Sequence, residues 1–282
     1  MVLKSYELSH PEYMWIRQGE KTLYGCNQDW YGIEWRRRAG CGPVAAANIL
    51  IYLRKKYGEA KIPYGNDTVD EALVAMNDVF SFVRPCLRGL NTVKKFVNGM
   101  GKFGLKYGIS FRYRYIVVPP QVEKRPDLDV VAGFIEEGLK NDVPVAFLNL
   151  HAGEVEAQLS SWHWVTVVGI CRRGDGGDSA AKTNDVGHCG DNSAAKTADS
   201  KQCGDDSAAS TADAMQCGDS AKKVAEVKDI GLRDEKPGNV IIRFYDQSNN
   251  LEVDLGKWLG STRRGGGFTY FYKPSDRQAL SG

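Results

Sequence analysis

Residues 38–53 read RAGCGPVAAANILIYL, a cysteine set between two glycines and followed directly by an apolar run. Val44, Ala47, Ile49, Leu50, Ile51 and Leu53 fall at helical spacings, and the basic triplet Arg54-Lys55-Lys56 suits a helix C-terminus, where cations complement the macrodipole. The stretch predicts a buried helix that begins at Cys41. A thiolate is favoured at the positive end of that dipole, so Cys41 reads either as a nucleophile or as a small core residue, and a second residue type has to decide between them. The flanking glycines leave room for other groups to approach its sulfur.

Outward from this helix, further helical patterns cover 68–82, 91–103 and, after the proline-rich stop VVPPQVEKRP, 129–140. The pattern then changes to strands at 143–150 (VPVAFLNL), 162–171 (WHWVTVVGIC), 239–245 (NVIIRFY) and 267–272 (GFTYFY). Helices first and strands later predict an α+β layout, a helical N-terminal half against an antiparallel sheet, rather than an alternating doubly wound one.

The 282 residues are 42% hydrophobic and 10% aromatic, enough to bury a full core as a single domain over residues 1–282. Thirty-seven basic against 35 acidic residues leave a net charge of +2, too weak a field to argue for nucleic acid or a membrane surface. The charged N-terminal stretch MVLKSYELSHPEYMWIRQGEK lacks the apolar core of a signal peptide, and no long apolar run follows, so a cytoplasmic protein is expected. Seven cysteines on such a chain are expected to be reduced thiols.

Residues 174–237 depart from this composition. They hold no Phe, Tyr or Trp and repeat a unit of about 14 residues, with Cys189, Cys203 and Cys217 at equal spacing. Few apolar residues mean that the segment cannot offset its ordering entropy, which predicts a disordered or loosely ordered surface loop. His188 beside Cys189 raises a metal-binding alternative, but single cysteines 14 apart lack the close pairs from which zinc sites are built; no metal and no cofactor are expected.

Of four histidines, His163 lies between two tryptophans at the start of a strong strand. If that strand pairs antiparallel with 239–245, its start lies beside the other's end, at Asp246, with Asn249 in reserve. An acceptor beside an imidazole fixes its tautomer, as the base of a nucleophile requires. The same hairpin puts the repeats at the opposite end of the strands, on the order of 25 Å away at about 3.3 Å per residue. His151 is the rival histidine and reads as solvent-facing. Cys26 reads as a bystander, and Cys86 and Cys171 as packing positions. Arg36-Arg37-Arg38 reads as a solvated loop with a possible steering role, and Trp30, Tyr31 and Trp35 as groove-lining aromatics.

This order of parts resembles the papain-like cysteine peptidase superfamily: GCGPVAAANILIYL, then VPVAFLNL, HWVTVVGI and IIRFYDQSN. The Cys-Gly-Pro start with an Asp as third member is most similar to the branch of the double-glycine leader peptidases of bacteriocin exporters, over about Gly25 to Tyr272 without the insert. The resemblance implies that Cys41 is nucleophile, His163 general base and then acid, and Asp246 the orienter of the ring. It also implies an oxyanion hole built from the Cys41 N–H and an upstream Gln, for which Gln28 is the match by type and Asn27 the alternative. The implied activity is a peptidase or amidase with a covalent acyl-enzyme; an acyl transferase would use the same triad, and a catalytically silent binding module would keep the fold alone.

Overall fold

The computed structural model describes residues 4–65, 67–86, 89–173 and 239–274. The chain opens with β1 (Lys4–Glu7) and a small hairpin of β2 (Trp15–Gln18) and β3 (Lys21–Tyr24). Four helices follow: α1 (Glu34–Ala39), α2 (Cys41–Tyr57), α3 (Val69–Phe80) and α4 (Val93–Tyr107). Then come β4 (Arg112–Val118), α5 (Leu128–Lys140), β5 (Val145–Asn149) and β6 (His163–Arg172). β7 (Val240–Asp246), β8 (Asn249–Asp254), α6 (Leu255–Ser261) and β9 (Gly266–Tyr272) complete the order.

Local chemistry sets the helix ends. Thr68 and Thr92 accept from the backbone N–H groups of Glu71 and Lys95, capping α3 and α4. Gly58 and Gly108 close α2 and α4 in left-handed conformation, φ 58° and 63°, which glycine adopts without a Cβ penalty. In α2 every residue from Cys41 to Leu53 is buried, which is why the run is apolar all round rather than on one stripe.

The fold is α+β, with a seven-stranded sheet in which every strand pairing is antiparallel. Its order is β4-β9-β5-β6-β7-β8, and β1 pairs with the later residues of β6. α2 and α4 cover one face: Phe96 stacks on Trp164 at 4.5 Å and approaches Phe271. α5 and α6 cover the other, where Phe134 meets Tyr270 and Trp258 meets Phe147 and Phe268.

Helix and strand are less segregated than the sequence predicts. β1 and β4 come from the N-terminal half yet join the main sheet, and α6 lies between the last two strands. The long strands and α2 to α5 lie within a few residues of their predicted positions, with α4 running on to Tyr107. β6 and β7 pair from Thr166↔Tyr245 to Arg172↔Val240, with a bulge between Val167 and Gly169. The repeats that connect them, with Cys189, Cys203, Cys217 and His188, lie outside the described residues. Among the described residues no helix is long and apolar enough to cross a membrane.

Candidate active site

Cys41 is the first residue of α2 and is 8% exposed. The segment before it, expected as a solvated loop, is the short helix α1, whose basic residues are each engaged. Arg36 bonds Asn77 Oδ1 and lies over the Phe80 ring, Arg37 donates to the Tyr31 carbonyl, and Arg38 pairs with Glu34. These contacts hold α1 in place.

The glycines that flank Cys41 serve close packing. A Cβ at Gly40 would meet the Arg36 carbonyl at 2.4 Å and the Tyr31 ring at 2.5 Å, and one at Gly42 would meet Leu90 Cδ2 at 2.6 Å. Tyr31 is therefore a core residue at 1% exposure, not a groove wall; Trp35 is 40% exposed with its edge against Phe80. Leu90 is held in turn by Trp164, whose indole N–H donates to the Leu90 carbonyl at 2.5 Å. The packing over Cys41 is thus tied to the strand of His163.

A second tie comes from Asn48, seven residues into the same helix. Its Nδ2 donates to Thr166 Oγ1 on β6, and its Oδ1 accepts from the Cys26 N–H at 2.8 Å. Both bonds are buried, so Asn48 fixes the rotation of α2 against the strand that begins at His163. The signal for Asn48 in the sequence is one polar residue inside an otherwise apolar run.

His163 is 7% exposed, and its Nε2 lies 2.7 Å from Asp246 Oδ1. With Nε2 so occupied, Nδ1 is the ring nitrogen left for a second partner, and the Cys41 sulfur is both a hydrogen-bonding and a charge neighbour of the ring. Burial works against the charged imidazole, but the Asp246 carboxylate, and after it Cys41, outweigh burial and push the His163 pKa up to about 10. The structure thus brings Cys41, His163 and Asp246 into one cluster.

Asp246 arrives on a tight hairpin. It pairs with Asn249 across Gln247 and Ser248, both left-handed at φ 46° and 66°. Asn249 Nδ2 donates to the carbonyls of Asp246 and Gln247, so this side chain braces the turn and does not orient the ring. Three bonds sew the turn to the N-terminal segment: Tyr24 N–H to the Ser248 carbonyl, Ser248 Oγ to the Gly25 carbonyl, and Asn27 Nδ2 to the Gln247 carbonyl.

The same segment carries Gln28, the first residue of a 3-10 turn that ends at Trp30. Asn27 is spent on both sides, since its Oδ1 also accepts from the Asp29 N–H. Gln28 is not: its Oε1 is buried without a hydrogen-bond partner. The orphan is an acceptor, which a donor on a bound ligand would complete; an oxyanion calls instead on the Gln28 Nε2.

The other thiols separate by environment. Cys26 is 1% exposed, and burial pushes its pKa up to about 12, so it is a core thiol. Cys171 is buried in β6. Cys86 is not a packing position but exposed: it lies in a turn before α4, where its thiol bonds the Gly89 carbonyl and Lys95 Nζ stands 3.7 Å from the sulfur. Nor is His151 free in solvent; it is half-buried, and its Nδ1 accepts from the Arg263 N–H at 3.2 Å. Among the described residues no three His, Cys, Asp or Glu side chains are placed to hold a metal ion.

Comparisons with protein-family models, with curated proteins and with solved structures found no match for the chain.

Proposed function

We propose that the chain is a cysteine-nucleophile hydrolase of papain-like architecture, a peptidase or amidase that works through a covalent acyl-enzyme. The observation that carries this reading is the His163 ring, held by Asp246 at Nε2 and with Cys41 as its other polar neighbour. A raised imidazole pKa favours the imidazolium, the acid that protonates the departing amine. The helix N-terminus favours negative charge where the sulfur attacks.

In the proposed cycle the Cys41 thiolate attacks the substrate carbonyl. The Cys41 N–H and the Gln28 amide hold the oxyanion. Collapse of the intermediate expels the amine, which takes its proton from His163. The ring then removes a proton from water, hydroxide attacks the acyl group, and a carboxylic acid is released as the Cys41 thiolate departs beside the reprotonated ring. The chemistry needs no cofactor. A substrate of peptide or related amide type fits it, in a cytoplasmic setting where the thiol stays reduced.

The test is alkylation by iodoacetamide below about pH 7, where an ordinary thiol of pKa near 8.5 is protonated. Cys41 is expected to label fast, and His163→Ala to slow it by roughly a hundredfold. Cys86, exposed but with Lys95 3.7 Å from its sulfur, sets a demanding internal reference in the same digest, and turnover of peptides should vanish in Cys41→Ala. Labelling of Cys41 no faster than Cys86 and indifferent to His163 would instead identify a silent binding module.

A further inference from the structure

Trp162, the residue before His163, is left-handed at φ 58° and 47% exposed. A side chain with a Cβ is strained in that conformation, and a large indole left about half exposed forgoes much of the gain from burial; both costs persist only where neighbours impose them. Here they do. Asn149 Nδ2 donates to the Ser160 carbonyl at 2.7 Å, and the Ala152 N–H donates to Ser161 Oγ at 2.9 Å. Asn149 is itself fixed, its Oδ1 accepting from the Trp258 indole and the His151 N–H. The turn that feeds β6 therefore presents the Trp162 ring to solvent one residue before His163, at the end of the sheet where Asn149 pairs with both His163 and Gly266.

The Arg264 guanidinium lies 5.0 Å from the centre of that ring. Its loop is rigid for independent reasons. Gly265 is left-handed, and a Cβ there would meet the Val118 carbonyl at 1.9 Å, so the backbone is seated against the end of β4. Arg125, on the same side, is spent on the carbonyls of Pro119, Pro120, Leu259 and Thr262. Arg264 is exposed, and among the described residues no carboxylate pairs with it. A flat aromatic face topped by an unpaired planar cation is suited to a carboxylate carried next to apolar surface.

We infer that Trp162 and Arg264 form a subsite for a carboxylate on the leaving-amine part of the substrate. The side follows from the proposed function, on which this inference rests: His163 hands its proton to the departing amine, so the exposed residue next to it in the chain meets that portion. The carboxylate is an Asp or Glu side chain just after the cut or the free C-terminus of the substrate; both offer the same group to the guanidinium.

The experiment exposes the full chain to two mixtures of random-sequence peptides, one with free and one with amidated C-termini, and sequences the products by mass spectrometry. Cuts are expected where an acidic residue or a free C-terminus follows within two residues. Persistence in the amidated set identifies the side chain, and loss identifies the terminus. Arg264→Glu is expected to reduce those cuts about tenfold and to favour Lys or Arg instead, with Cys41 still alkylated at the wild-type rate. Cleavage without acidic preference, or a preference that survives Arg264→Glu, overturns the inference and leaves the hydrolase standing. No cleavage of either mixture overturns it too; if Cys41 alkylation is then also independent of His163, the hydrolase reading fails with it.

Discussion

The Asn48 amide, on the helix that Cys41 opens, donates to the Thr166 hydroxyl 3.2 Å away, on the strand that His163 opens. The bond crosses the boundary between the helical layer and the sheet at which Cys41 and His163 meet. Its loss in Asn48→Ala also strands the Cys26 N–H. Two buried groups left unpaired are expected to cost about 2–4 kcal/mol, read as a lower urea midpoint. Cys41 alkylation should slow as well, since the helix is then free to rotate. Unchanged alkylation in a folded variant would mean that packing alone sets the helix orientation.

His163 is the group through which pH reaches the site. Burial opposes its charge, Asp246 and then Cys41 outweigh that, and its pKa rises from 6.5 to about 10. The folded state therefore binds the proton more tightly than the unfolded chain does. This contribution to stability is complete below 6.5, declines as pH rises and is gone above about 10. Asp246→Asn removes the main opposing charge. Its stability deficit should be largest near pH 6.5 and fade toward pH 10, measured by urea unfolding across that interval. A deficit constant with pH would mean that Asp246 acts by packing and not by charge.

Gly40 and Gly42 differ in what a methyl group would strike. At Gly40 the obstacle is the backbone carbonyl of Arg36 with the Tyr31 ring behind it, whereas at Gly42 it is the end of the Leu90 side chain. Gly40→Ala is expected to destabilise the fold by about 2 kcal/mol, the scale of overpacking. Gly42→Ala should cost clearly less because Leu90 can turn aside. Thermal denaturation of the two variants side by side checks the order, and equal losses would refute it.

The chain leaves β6 at Arg172, which pairs with Val240, while His163 begins the strand at its other end. Removing residues 176–223 is expected to leave peptide turnover and Cys41 alkylation within about twofold of wild type, because the joined strand ends can be closed by a short loop at little entropic cost. Lost activity in a variant with unchanged far-UV circular dichroism would contradict this.

What was legible in the chain follows from the range of the forces involved. The α2 run and the β6–β7 hairpin are written in local periodicity, so Cys41, His163 and Asp246 stood out before any coordinates. The six residues of α1 are too few to show a period, which is why Glu34–Ala39 read as a loop. β4, by contrast, is rich in aromatic and β-branched residues (Tyr113, Tyr115, Ile116, Val117, Val118), a local strand signal that the sequence reading does not use, and its tyrosines are exposed at a sheet edge. The exposure of Cys86 depends on a turn closed by Gly89, and the roles of Asn48 and Arg264 on partners more than a hundred residues away. Strand order is the least local property of all.

That order bears on how the protein is made. β9 sits between β4 and β5, yet it is the last of the described strands to leave the ribosome. Until it is threaded in, β5 has no neighbour on that side and the sheet that presents His163 is unfinished. The thiol of Cys41 is synthesised early and waits, beside no base, while more than half of the chain is translated. On the hydrolase reading, this wiring keeps a nascent chain inert and makes the onset of activity a late event of maturation.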